Sequence, residues 1–205
     1  MANVTRATDR DVDACAIVLA KAFQDDPGTI IFEPDDERRA QLLPTFFRNY
    51  VAAALAESAD IVIAGKPIAG VASWFGPDRF GPSPDAFEAH GFGDVVASAG
   101  EDAIGRLRAM VRELEREHAQ VTSGPHFHLE FYGVVPSSQR TGVGTALIEH
   151  GHRRADEMQL PCYLETFTLA NVRYYEHRGY ELVHEFQVAG GVPVYALVRP
   201  PADTT

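Results

Sequence analysis

Cysteine is scarce in this chain of 205 residues: only Cys15 and Cys162 occur. Neither lies in a Cys-x-x-Cys or zinc-like arrangement, so a disulfide framework, a thiolate metal centre and a thioredoxin-type redox motif are all excluded. Both read as buried thiols. Long apolar runs are missing too, since no stretch approaches the ~18 uninterrupted apolar residues of a membrane span. The start, "MANVTRATDRDVDAC", has no basic region followed by an apolar core. A soluble cytoplasmic protein with no membrane partner is expected. Positive charge is also short, giving a net charge of -11, so the surface as a whole repels nucleic-acid phosphates. No nucleic-acid partner is expected, and a cationic small molecule suits that field better. The two lysines, Lys21 and Lys66, carry no functional information.

What remains is ordinary globular composition, 45% hydrophobic and 23% charged, in a length suited to one domain spanning 1–205. Residues 9–23 place Val12, Cys15, Ala16, Leu19, Ala20 and Phe23 at helical spacing behind an aspartate-rich start. The segment 25–35, with Pro27, Gly28 and Pro34, reads as a loop. A second helix comes next, its stripe running from Leu42 through Phe46, Phe47, Tyr50 and Val51 to Leu55, with Pro44 expected to kink or divide it. Two apolar runs in 61–75 meet at Gly65-Lys66, a hairpin signature. Residues 76–100 read as irregular with one short helix, and 101–119 as a charged amphipathic helix. The interruption of about 45 residues between strands is too long for a turn, and such insertions often shape binding sites.

From Pro125 the pattern is strand (126–135), turn, helix (142–158), strand (161–167), helix (171–178), strand (180–188) and strand (192–199). The unit 126–167 is a βαβ crossover with parallel strands, and "AGGVP" closes an antiparallel hairpin. This order predicts a mixed sheet with helices on both faces, and "PPADTT" reads as a frayed end.

The turn Gln139-Arg140-Thr141-Gly142-Val143-Gly144, leading into Thr145, opens a helix. Unpaired N–H groups and a positive dipole end gather there, and glycines let an anion reach the main chain. Arg140 adds bidentate donors. It is a plausible phosphate cradle, although Gly-x-Gly before a helix also serves as a plain tight turn. By alternation, Phe127, Leu129 and Phe131 share one face of the preceding strand, while His126, His128, Glu130 and Tyr132 share the other. A titratable face inside a sheet is expensive unless it lines a cleft or meets solvent. His126-x-His128 has no third ligand nearby, so no metal is expected. Asn171 is placed to cap the last helix and Gly179 to end it, with Tyr174 and Tyr175 in its first turns.

Taken together, these stretches resemble the GNAT N-acetyltransferase superfamily, and more narrowly puromycin N-acetyltransferase and its relatives. The superfamily's Gln/Arg-x-x-Gly-x-Gly/Ala turn is matched by Gln139 to Gly144. "LPCYLET", "NVRYYEHRGY", "GGVPVYALVR", "AFQDDP" and "VASWF" agree in position with the subgroup. The likeness is strong over 126–199 and weak between 76 and 122. It implies an α+β, three-layer αβα fold with a mixed, mostly antiparallel central sheet and two splayed parallel strands. The segment 76–122 is then a helical insertion shaping the acceptor site.

The resemblance implies acetyl-CoA as cosubstrate, its pyrophosphate bound by the amides of 140–145. Its pantetheine arm would meet the backbones of Val134 and Val135, with Asn171 and Tyr174 opposite. Glu130 and His128 are the candidates for general base, and Tyr175 for the acid that protonates the departing thiolate. Asp25, Asp26, Glu33, Trp74 and Tyr132 are candidates for acceptor recognition, each equally suited to a cap, a surface charge or packing. The expected activity is N-acetylation of a small-molecule amine, with an antibiotic or aminonucleoside the leading candidate. A protein or peptide acceptor, or an acyl-CoA sensor without turnover, is the alternative, and the chain is expected to be a monomer or homodimer.

Overall fold

The computed structural model describes residues 2–77 and 79–202; the last half of the expected frayed end lies outside them. Its centre is a seven-stranded sheet in the order β1-β2-β3-β4-β5-β7-β6. The strands are β1 (Val4–Arg6), β2 (Asp60–Ala64), β3 (Gly70–Phe75), β4 (Phe127–Val134), β5 (Cys162–Thr166), β6 (Glu181–Val188) and β7 (Val192–Arg199). Every neighbouring pair is antiparallel except β4 and β5, which are parallel and joined at Phe127↔Cys162 and His128↔Tyr163 alone. The mixed, mostly antiparallel sheet and the splayed pair are therefore present as expected.

Strand alternation sorts the core into two layers. Ile61, Ile63, Val71 and Phe75 face α1 (Val12–Ala22) and α3 (Asp36–Ala56), joined there by α5 (Phe92–Ala99) and α6 (Glu101–Val121). Val62, Ala64, Ala72 and Trp74 face α7 (Val143–Glu157) and α8 (Leu169–Glu176). Close approach of α7 depends on Gly151, because a Cβ there would stand 2.1 Å from the Trp74 ring. Gly133 does the same for α1, where a Cβ would fall 2.7 Å from the Ala22 side chain.

Several local readings need correction. The segment 25–35 contains a helix, α2 (Pro27–Phe32), because Asp26 accepts from the Gly28 N–H and Pro27 has the backbone angle suited to a first turn. Pro44 does not divide α3, which runs unbroken from Asp36 to Ala56. The carbonyl left without a donor belongs to Ala40, an exposed residue, so water can serve it. The insertion holds two short helices before α6, namely α4 (Pro84–Ala89) and α5. Ser83 caps the first of them through the Ala86 N–H.

Candidate active site

A bulge in β4 organises the site. Ser73 pairs with Phe131 and Trp74 with Leu129, which leaves Glu130 as the extra residue. The alternation expected over 126–132 changes phase there. Phe127 and Leu129 keep to the α7 layer, but Phe131 packs into the α1/α3 layer, and Tyr132 crosses to the α7 side. Glu130 and His128 remain together on the α3 side.

Beyond the bulge the two parallel strands part. Val135 donates its N–H to Ala69, so Val134 and Gly70 form a non-hydrogen-bonded pair. The main-chain groups of Val134 consequently point away from β3, toward the gap left by β5. Val135 does not share that orientation, since its N–H goes to Ala69 and its carbonyl accepts from Ser138. Of the two backbones expected to bond a ligand arm, only that of Val134 is aimed at the gap; the Gln139 amide lies 3.4 Å from its carbonyl oxygen.

The turn at 139–142 is exposed, with Arg140 at φ 61° and Gly142 at φ 87°. Gly142 precedes α7 without a side-chain cap. The N–H groups of Val143, Gly144 and Thr145 thus begin the helix with no acceptor one turn back. Thr141 is held by its hydroxyl to the Ser138 carbonyl. Gly144 is required here, because a Cβ would lie 2.2 Å from the Tyr132 hydroxyl. That hydroxyl bonds the Tyr174 hydroxyl, so Tyr132 lies beside Tyr174 on the α7 side. The sequence reading missed Arg178, whose guanidinium covers the Tyr174 ring at 3.6 Å and donates to Thr145 Oγ1 at 3.1 Å. It brings a second cation to the mouth of α7.

Thr168, not Asn171, precedes α8. Asn171 lies within the first turn and donates to Thr166 Oγ1 at 3.1 Å. Tyr175 is buried among Val172, Tyr174 and Tyr180. Burial raises its phenol far above the ordinary value, and the charges of Tyr174 and Asp26 act in the same sense. Asp26 itself caps α2, accepting from the Gly28 N–H. Its own carboxyl is pushed up to about 6 by burial, against the Gly28 and Thr29 amides that favour the anion.

On the opposite layer Glu130 accepts a 2.6 Å hydrogen bond from Tyr50 Oη, which also lies 2.6 Å from Ser73 Oγ. Burial raises Glu130 to about 7, more than His128 and Tyr50 lower it. A carboxylate that gives up and takes a proton near neutrality suits general-base work. His128 differs. Its Nδ1 lies 2.8 Å from the Phe80 carbonyl and its Nε2 lies 3.2 Å from Glu165 Oε2. Burial alone would lower its pKa, but Glu165, Glu130 and the Phe80 carbonyl together raise it. Both ring nitrogens are thus engaged by protein groups, the Phe80 carbonyl and the Glu165 carboxylate. Of the two expected bases, Glu130 is held by Tyr50 and His128 by Phe80 and Glu165.

The remaining acceptor candidates are dispersed. Trp74 is fully buried beneath α7 and is a core residue. Glu33 is engaged by the Asp35 N–H and by Arg38 at 3.3 Å, a junction between α2 and α3. Asp25 is exposed. Asp26 is the half-buried cap of α2. Tyr50, which holds the Glu130 carboxylate, and Ser73, which bonds Tyr50, come from two separate elements, and nothing in their local sequence marks them.

The matches to known proteins agree with this geometry. The family model for acetyltransferase (GNAT) family proteins matches residues 69–180, which span β3 to the end of α8. The chain belongs to that family. A stretch of 54 residues is 43% identical to an uncharacterised N-acetyltransferase of Schizosaccharomyces pombe, covering 26% of this chain and 23% of that one. The match thus spans about a quarter of that relative. Among solved structures, histone acetyltransferase HPA2 and related acetyltransferase from Corynebacterium glutamicum superposes with a TM-score of 0.74 at 25% identity, covering 100% of this chain and 98% of that one. PaiA N-acetyltransferase from Thermoplasma acidophilum, in complex with coenzyme A, gives 0.58 at 8% identity, covering 98% and 99%.

Proposed function

We propose that the protein transfers an acetyl group from acetyl-CoA to the amine of a small molecule. The observation that carries this reading is the placement of Glu130. The β4 bulge sets its carboxylate where β4 and β5 part, with Tyr50 holding it on one layer and the uncapped mouth of α7 opening on the other.

In this reading the amides of Val143 to Thr145, with Arg140 and Arg178, take the diphosphate of the cosubstrate. Val134 offers its backbone to the pantetheine arm, and its N–H polarises the thioester carbonyl. An alkylammonium with a pKa near ~10 has no lone pair at neutral pH, so Glu130 first removes its proton. The amine nitrogen then bonds to the acetyl carbon, and the carbon–sulfur bond breaks as the tetrahedral adduct collapses. Tyr175 donates a proton to the departing thiolate and recovers one from the nitrogen of the adduct, so the products are a neutral amide and a free thiol.

A small acceptor is favoured over a protein tail because the insertion closes over this layer. Phe80 packs against His118 with ring centroids 3.8 Å apart, and a Cβ on Gly81 would stand 2.9 Å from Glu130 Oε1. Asp26 and the net charge of -11 favour a cationic amine, and an aminonucleoside or antibiotic is the leading candidate. The test is thiol release from acetyl-CoA over a panel of amines including puromycin, set against peptides with free N-termini or lysines. Turnover of peptides alone would replace the small-molecule reading, and no turnover with coenzyme A binding intact would leave an acyl-CoA sensor.

A further inference from the structure

The layer that carries Glu130 also holds a cluster the transfer reaction does not use. His118 comes from the last turn of α6, within the insertion; His128 comes from β4 and Glu165 from β5. One ligand-type atom from each lies within 4.8 Å of the others. Glu165 Oε2 is 3.2 Å from His128 Nε2, and Glu165 Oε1 is 3.8 Å from His118 Nδ1. His118 is fully buried, clasped between Phe80 and Tyr163 at 3.8 Å and 3.9 Å. Its Nδ1 is a buried atom with no hydrogen-bond partner among the described residues. Such an atom is expensive to leave unsatisfied.

The groups around the cluster give each of the three the polarity of a metal ligand. His126 Nδ1 lies 2.8 Å from the Gly124 carbonyl, which only accepts; a neutral His126 therefore accepts at Nε2, 2.7 Å from His118 Nε2. That fixes the His118 proton on Nε2 and leaves a lone pair on Nδ1, aimed at Glu165. His128 is anchored through Nδ1 to the Phe80 carbonyl, with Nε2 turned inward. Tyr163 donates to Glu165 Oε1 at 2.8 Å. Ligating imidazoles characteristically donate their second N–H to a fixed acceptor in this way, and ligating carboxylates are themselves hydrogen-bonded.

From this we infer that His118 Nδ1, His128 Nε2 and the Glu165 carboxylate form a binding site for one divalent transition-metal ion of the Zn2+ type. Two imidazoles and a carboxylate are an ordinary donor set for that ion. Tetrahedral bonds of ~2.0–2.1 Å place ligand atoms roughly 3.3 Å apart, so side-chain shifts of under about 1 Å would close the site. The ion takes the place of the proton that His128 Nε2 presents to Glu165. It would tie the insertion to both splayed strands beside Glu130. The site is built from these residues alone and does not depend on the acetyltransferase reading.

The test uses the full chain, stripped with chelator and titrated with ZnCl2 by calorimetry. One ion per chain with a Kd below about 1 μM is expected, with a rise in melting temperature of about 5–10 °C at a hundredfold excess over Kd. His118→Gln and Glu165→Gln should each weaken binding by at least about 100-fold, and His126→Phe, which keeps all three ligands, by about tenfold. Circular dichroism reports whether each variant folds. Should either not fold, the Co2+ form of the unaltered protein decides: a visible absorption band of a four-coordinate nitrogen–oxygen site supports the inference, and its absence overturns it. Binding no tighter than about 100 μM, or tight binding that both folded variants retain, also overturns it.

Discussion

Tyr50 Oη stands 2.6 Å from Glu130 Oε2 and 2.6 Å from Ser73 Oγ, tying helix α3 to the bulged carboxylate through a fully buried phenol. Since the carboxylate only accepts, the phenol proton goes to Glu130 and the Ser73 hydroxyl donates to the phenol. Tyr50 is thus a positioning residue for the proposed base. A hydrogen bond to a charged group contributes about 1.5–3 kcal/mol. Tyr50→Phe should lower kcat about 10–100-fold while the KM for acetyl-CoA stays within about twofold. A parallel rise in that KM would mean the substitution acts on the cofactor side.

At the mouth of α7, Gly142 has φ 87° and lies next to the uncapped amides. Gly142→Glu sets a carboxylate against the proposed diphosphate and forces a side chain into left-handed backbone. The thermal shift given by acetyl-CoA should vanish, and differential scanning fluorimetry of the variant with and without cosubstrate measures it. An undiminished shift would remove the turn from the binding site.

Tyr175 is a buried phenol raised by its surroundings, and so fully protonated at neutral pH. Tyr175→Phe keeps the ring packed against Tyr180 and deletes only the hydroxyl. Turnover should fall by about 10²-fold or more with coenzyme A affinity nearly unchanged. Wild-type turnover would leave Tyr175 a packing residue between α8 and the sheet.

His152 gives the fold an acid sensitivity apart from catalysis. It is buried on α7 against Tyr180, and burial, with Arg199 adding, lowers it to about 4 from the ordinary 6.5. A folded-state pKa below the unfolded one means the unfolded chain takes up protons first. The stability tied to the neutral ring is therefore complete above about pH 6.5 and lost as the pH falls toward 4, by up to about 3 kcal/mol. Urea unfolding of His152→Gln should show a smaller decline over that window than the unaltered chain. Equal declines would assign the acid sensitivity to other groups.

Much of the architecture was legible from spacing. The stripe from Leu42 to Leu55, the βαβ order around Gly142 and the closing hairpin each depend on neighbours a few residues apart, and the structure contains all three. The turn itself was legible because a helix mouth without side chains requires glycine in sequence, whatever packs around it.

The tertiary structure decided what the site is made of. A single extra residue at Glu130 reverses the faces of Phe131 and Tyr132, because strand side chains alternate with period two and any insertion inverts every later position on the strand. Trp74 went under α7 because Gly151, far along the chain, leaves room for its ring. The hydrogen bond from Tyr50 to Glu130 spans 80 residues, and the contact between His128 and Glu165 spans 37. Local pattern encodes the elements and their buried faces; which polar atoms meet across two layers is fixed only when those faces close on one another.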